Sequence, residues 1–217
     1  MLLELHGVSK RFEKKQIIAS ATLSVGAGEI LCLTGPSGIG KTTLLEIMAG
    51  VVSPDGGTVE RHVKPALMFQ DKALIPWLTA EANITYILPA DMTRKEMTET
   101  AEMWLAFFGL EKTQYPSAMS GGMRRRLSLA RTFASGRPLL LLDEPFAFLD
   151  DAWQKKIAVQ ISSSIRKGAA VILTSHTVAF LEFSYFERIP YRIVSITESP
   201  FVINCGIFNL DGKRKIQ

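Results

Sequence analysis

The nine residues "GPSGIGKTT", Gly35 to Thr43, hold the densest chemistry in the chain. Gly35, Gly38 and Gly40 let the backbone pass close to an anion with no Cβ in the way, and Pro36, Ser37, Ile39 and Thr43 complete the cradle. Lys41 can then reach the β- and γ-phosphates of a nucleotide, and Thr42 can hold Mg²⁺ through its hydroxyl. The alternative is an ordinary glycine turn before a helix, so the surroundings must decide. A second pair, Asp143 and Glu144, closes a run of four leucines. Asp143 is placed to help hold Mg²⁺ through its water shell, and Glu144 to polarise an attacking water. A third stretch, "MSGGMRRRLSLAR" from Met119 to Arg131, opens a helix with Ser120, Gly121 and Gly122, whose backbone N–H groups are free to meet phosphate. One triphosphate does not need two such cradles in one chain. Two chains facing head to tail do.

A phosphate cradle needs a strand, a tight loop and a helix, because a helix N-terminus offers unpaired N–H groups and a positive dipole end. The run from Glu29 to Thr34 reads as a buried strand, and Lys41 to Ala49 as a helix stopped by Gly50. Leu139 to Leu142 is apolar at every position, as a strand covered on both faces requires, and it delivers Asp143 and Glu144 to its C-terminal end, where open α/β sheets bind ligands. Alternation in Leu2 to Val8 and in Ile17 to Val25 predicts two antiparallel strands ahead of the phosphate loop. Ser53 to Gly57 is a turn, with a short strand from Thr58, and Lys64 to Phe69 is a further buried strand ending at Gln70.

The pattern then changes to a helical insert. In "TRKEMTETAEMWLAFF" the residues Met97, Thr100, Ala101, Trp104, Leu105 and Phe108 share a side, Thr93 caps with Glu96 three residues on, and Gly109 ends the helix. Helices from about Gly122 to Ala134 and Ala152 to Arg166, and a strand from Ala169 to Thr174, complete the reading. His176 follows that last strand, where a lone histidine is either structural or a phosphate contact.

Composition narrows the classes. The 217 residues are 47% hydrophobic and 21% charged, which is globular. No apolar run approaches the roughly 20 residues that cross a bilayer, and Glu4 and His6 interrupt any signal-peptide core. The expectation is a cytosolic chain with Cys32 and Cys205 as reduced core residues. The net charge of +4 is scattered in short clusters such as Lys10-Arg11 and Arg124 to Arg126, which read as solvated faces and give no nucleic-acid footprint.

With these residues in place, the chain resembles the ATP-binding cassette family over nearly its whole length. GPSGIGKTT is similar to the Walker A loop, LLLLDEP to the Walker B strand and MSGGMRRRLSLAR to the signature helix; Gln70 matches the Q-loop, Phe12 the adenine-stacking aromatic, Asp150 the D-loop and His176 the switch histidine. The resemblance implies an α/β fold: a P-loop NTPase core with a mainly parallel sheet, an N-terminal antiparallel β-subdomain and a helical insert at about 71–134, all in a single domain over 1–217 with no C-terminal regulatory domain. Asp211-Gly212 would be a hairpin turn near the end. It further implies that Lys41, Thr42, Gln70, Asp143, Glu144 and His176 serve ATP and Mg²⁺ from one side, with Gln70 also a metal contact. Ser120, Gly121 and Gly122 reach the ATP of the opposite subunit in a homodimer, and Asp150 of the D-loop also belongs to the nucleotide site.

Within the family, "FQDKALIPWLTAEANI" resembles importers of the nitrate, sulfonate and taurine group. The implied partners are a membrane permease docking near Gln70 to Leu78 and a solute-binding protein, with the chain on the cytoplasmic face of the membrane. An exporter ATPase, or a soluble ATPase acting on nucleic acid or ribosomes, are the alternatives. Arg125, Thr177 and Phe148 depart from the family's pattern, which has Gln, Asp and a small residue at those places.

Overall fold

In the computed structural model, residues 1–69, 74–182, 184–205 and 214–216 are described. Gln70 and the Asp211-Gly212 turn lie outside the described residues.

The chain builds two sheets with a helix between them. β1 (Leu3–Phe12) and β2 (Lys15–Val25) pair antiparallel, β4 (Gly56–Arg61) lies on the far edge of β1, and β9 (Phe201–Cys205) joins the other edge of β2. The strand expected to stop at Val8 continues to Phe12. Gly7, at φ 58, supports an irregularity in register between Leu5 and Val8, and the strand then runs on until Phe12 pairs with Lys15 across the turn.

The larger sheet holds β3 (Ile30–Thr34), β5 (Ala66–Met68), β6 (Leu139–Leu142), β7 (Ala170–Ser175), β8 (Tyr191–Ser195) and β10 (Arg214–Ile216), in the order β10-β8-β3-β7-β6-β5, every neighbour parallel. Its two faces explain the leucine run. Leu139 and Leu141 pack with Leu44, Leu45 and Met48 of α1 (Lys41–Ala49), which fills the space against the antiparallel sheet. Leu140 and Leu142 point the other way, into the core shared with the remaining helices.

Those helices are α2 (Ala80–Thr85), α3 (Arg94–Phe108), α4 (Gly121–Ala134) and α5 (Asp151–Arg166). α3 starts in the expected capping box, with the Thr93 hydroxyl accepting from the Glu96 N–H and Glu96 accepting from the Thr93 N–H (2.8 Å), and it stops at Gly109 in the left-handed region. Its buried face is Ala101, Leu105 and Phe108, with Trp104 stacked on Phe133 of α4 at 5.6 Å. Cys32 and Cys205 are both buried free thiols, and burial pushes Cys32 up to about 12.

The sequence reading did not anticipate β8 and β9. In β8, Arg192 is buried, with its guanidinium on both oxygens of Glu29 (3.2 Å) and on the Ser24 carbonyl. This pair ties β8 to the junction of β2 and β3.

Candidate functional site

The loop from Gly35 to Gly40 turns on left-handed glycines that neighbouring residues enforce. A Cβ on Gly35 (φ 146) would come 2.2 Å from the Ile196 carbonyl oxygen. One on Gly40 (φ 117) would come 2.4 Å from Ile17 and 2.9 Å from the Phe201 ring. Gly38 (φ 74) has nothing within 4 Å of such a Cβ, so its surface stays open for an anion. Lys41 opens α1 from inside the loop, with its ammonium donating to the carbonyls of Gly35 and Pro36, both at 2.8 Å. Burial lowers its pKa, and the nearby Glu144 and Asp143 carboxylates pull it back up.

Facing the loop, the C-terminal ends of β6 and β7 form one continuous hydrogen-bonded chain. The Thr42 hydroxyl donates to Asp143 Oδ2 (2.7 Å), and the Thr174 hydroxyl donates to Asp143 Oδ1 (2.6 Å). The Glu144 N–H donates to the Thr174 hydroxyl (2.8 Å), and the Glu144 carboxylate lies 2.8 Å from His176 Nε2. Glu144 itself sits at φ 51, a left-handed conformation that a non-glycine residue adopts at a cost. That backbone bend leaves the Glu144 side chain reaching His176. Thr174 is the member that sequence reasoning missed. The visible signal was a hydroxyl inside a strand that is otherwise apolar at its buried positions up to Ser175.

Phe12, Ile17, Ser37, Lys41, Thr42 and Glu144 line one cavity of about 250 Å³. Phe12 is 46% exposed at its rim, with the Lys10 ammonium 5.3 Å from the ring centroid. An aromatic face, a cationic loop, a hydroxyl and the Glu144 carboxylate thus open on the same space, with Asp143 buried behind Thr42. Thr42 and Asp143 offer only oxygens, the donor set Mg²⁺ takes when one or two protein groups and phosphate oxygens share it with water. Pro36 is exposed beside Ser37, and Ile39 packs on the core of the antiparallel sheet.

The second set of expected site residues lies apart from this cavity. Ser120 caps α4, its hydroxyl accepting from the Met123 N–H (3.2 Å), and Gly121 has nothing within 4 Å of an added Cβ. Asp150 caps α5, accepting from the Trp153 N–H (2.9 Å). The three departures each have a place. Arg125 is 4% exposed, donates to the Asp143 carbonyl (3.0 Å) and lies 5.7 Å from the centre of the Phe148 ring. Phe148 is left-handed at φ 61 and largely exposed. The Thr177 hydroxyl accepts from the Ala179 N–H (3.2 Å), holding the turn after His176.

Among the described residues, no helix is long and apolar enough to cross a membrane. The sequence profile of the ABC transporter family matches residues 18–147. An aliphatic sulfonates import ATP-binding protein of Corynebacterium glutamicum is 34% identical over 179 residues, which cover 81% of this chain and 74% of that protein. A sulfate/thiosulfate import ATP-binding protein of Chromobacterium violaceum is 35% identical over 188 residues, covering 80% of this chain and 51% of that one, so this chain spans about half the length of that relative. The dimeric structure of a bacterial ABC transporter cassette superposes with a TM-score of 0.80 at 26% identity, over 90% of this chain and 94% of that one. By the family match over residues 18–147 and the identity to these relatives, the chain belongs to the ABC transporter family, whose cassettes bind and hydrolyse ATP.

Proposed function

We propose that this chain hydrolyses ATP as one half of a head-to-tail homodimer and so drives import of a small solute of the nitrate, sulfonate and taurine kind through a membrane permease. The observation that carries the proposal is the unbroken chain Thr42, Asp143, Thr174, Glu144, His176, because it aligns a metal-facing oxygen pair with a general base. In this reading Lys41 and the N–H groups from Gly35 to Thr43 bind the phosphates, and Phe12 stacks on adenine. Thr42, Asp143 and Gln70 hold Mg²⁺, which when bound neutralises charge on the phosphate oxygens. Glu144 accepts a proton from the attacking water, and His176 orients that carboxylate and contacts the γ-phosphate. Ser120, Gly121, Gly122 and Asp150 meet the ATP held by the opposite subunit. Residues of about 71–134 form the helical insert, with Gln70 just before it and the signature stretch near its end, and a solute-binding protein supplies the solute on the far side of the membrane.

Support for the permease contact comes from the segment after Gln70. Trp77 is 76% exposed, yet the segment that presents it is firmly held. Asn83, fully buried, accepts from the Ile75 N–H (2.8 Å) and donates to the carbonyls of Ile75 (3.0 Å), Leu78 (3.0 Å) and Thr79 (3.1 Å). A large aromatic held out to solvent by a buried clamp is what a docking surface requires. The relatives' printed roles in sulfonate and sulfate import point to a permease as its occupant. The test is co-purification from membranes together with ATPase activity of the free subunit. Trp77→Ala should lose the permease, since a buried aromatic anchor is often worth about 2 kcal/mol or more, and should keep its ATPase rate. Full activity with no membrane partner in the unsubstituted chain would favour a soluble ATPase instead.

A further inference from the structure

The outer face of the antiparallel sheet carries a cluster that nucleotide chemistry does not use. Glu4 and His6 lie two residues apart in β1, so both leave the face opposite the buried Leu3 and Leu5. In β4, Glu60 pairs directly with Glu4. His62, two residues further, is fixed by its N–H donating to the Leu2 carbonyl (3.1 Å) and returns to the same face. Two of the chain's three histidines therefore meet two glutamates on one patch.

Electrostatics alone does not account for that placement. Glu4 and Glu60 are like charges directly opposite one another, a cross-strand arrangement that destabilises a sheet. Among the described residues their ion-pair contacts run to His6 and His62, and to no lysine or arginine. His62 Nε2 is 2.9 Å from Glu4 Oε1, while His6 Nε2 is 3.8 Å from Glu60 Oε1 and 4.0 Å from Glu4 Oε2. One oxygen from each glutamate and one nitrogen of His62 all lie within 4.8 Å of one another. Ligand atoms around a tetrahedral zinc, with bonds of about 2.0–2.1 Å, sit roughly 3.3–3.5 Å apart. His6, Glu60 and His62 are exposed and Glu4 is partly so, which leaves these side chains room to change rotamer.

We propose that Glu4, His6, Glu60 and His62 form a site for a divalent transition metal of the zinc class, bridging β1 and the edge strand β4. Two imidazoles with two carboxylates is a donor set for zinc, cobalt or nickel, whereas Mg²⁺ and Ca²⁺ take oxygens. The ion would offset the facing carboxylates and fasten the outer strand, apart from the all-oxygen pair Thr42 and Asp143. The thiols of Cys32 and Cys205, which would compete for zinc, are buried in the core.

The test titrates the nucleotide-free full chain with zinc chloride by calorimetry, and with cobalt chloride by visible absorption. One equivalent of zinc should bind, with a cobalt spectrum of tetrahedral intensity. His6→Gln with His62→Gln should weaken zinc by at least about 100-fold, the upper end of what disturbing outer-shell partners costs. Glu4→Gln with Glu60→Gln should do the same, while Thr42→Ala should leave zinc binding unchanged. Circular dichroism and Mg-ATP binding unaltered in both double variants would confirm that they fold. No saturable zinc uptake, or uptake that survives both double variants, would overturn the site and leave an ordinary ion-pair patch.

Discussion

The N-termini of α1 and α4 both present backbone N–H groups at the positive end of a helix, but α1 has no side-chain cap while Ser120 caps α4 at Met123, and their surroundings differ. α1 begins inside a walled cavity with Lys41, Thr42 and Glu144 lining it and Asp143 bonded to Thr42. α4 begins at the exposed Ser120 and Gly121, with no acidic residue in its first turn and open space beside Gly121. A backbone anion site becomes a catalytic one only when side chains supply a cation, a metal ligand and a base. The first terminus has these within its own chain. On the proposed head-to-tail reading, the second would take them from a second molecule; the cassette whose fold this chain shares is itself dimeric.

The largest effect expected from breaking that contrast is at Lys41. Lys41→Ala should abolish measurable Mg-ATP binding by calorimetry while the circular dichroism spectrum stays unchanged. Residual binding near the original affinity would mean that α4 can hold nucleotide unaided, and the contrast would fail. Next in size is a change confined to α4. In a Glu144→Gln background, which should bind ATP, lose hydrolysis and run as a dimer by light scattering, Gly121→Asp should return the chain to monomer. The added carboxylate favours its own helix terminus but repels a facing triphosphate. ATP affinity of the single chain should hold. A dimer that survives would place the contact elsewhere.

Thr174→Val should act on catalysis more than on binding. It removes the hydroxyl shared by Asp143 and the Glu144 N–H, leaving buried polar groups unpaired at a cost of about 1–3 kcal/mol. Steady-state hydrolysis should fall about tenfold or more, while ATP affinity changes little; equal losses in both would make Thr174 a mere packing residue. The smallest effect is the control at α3, remote from both termini. Thr93→Ala should lower stability by about 1 kcal/mol in urea denaturation, the usual worth of a cap, with ATP binding untouched.

Local chemistry was readable where it is local. The bounds of α1 and β6, the Thr93 capping box and the Gly109 stop follow from residues within a few positions of each other. The glycine loop and the strand-end carboxylates could be paired because each implies a helix or strand beside it. Other features depend on distant partners. Arg192 reads as a surface residue until Glu29 is known to lie against it, so β8 was passed over. Phe201 to Cys205 alternates buried and exposed, but nothing near it announces β2 as its neighbour. Asn83 looks like one more polar residue after Leu-Thr-Ala-Glu until its four bonds to the Trp77 segment are seen.

The pairing of β9 with β2 bears on how the protein is made. Ile18 lies beside Phe201 in that ladder, and Phe201 also backs Gly40 of the phosphate loop. At about 5–20 residues per second of synthesis, β2 leaves the ribosome on the order of ten seconds or more before its neighbour exists. Throughout that interval its outer edge is an open template for wrong pairing. The phosphate loop lacks its Phe201 backing until β9 is made, and a nascent chain halted before Phe201 should bind nucleotide more weakly than one carried past Cys205.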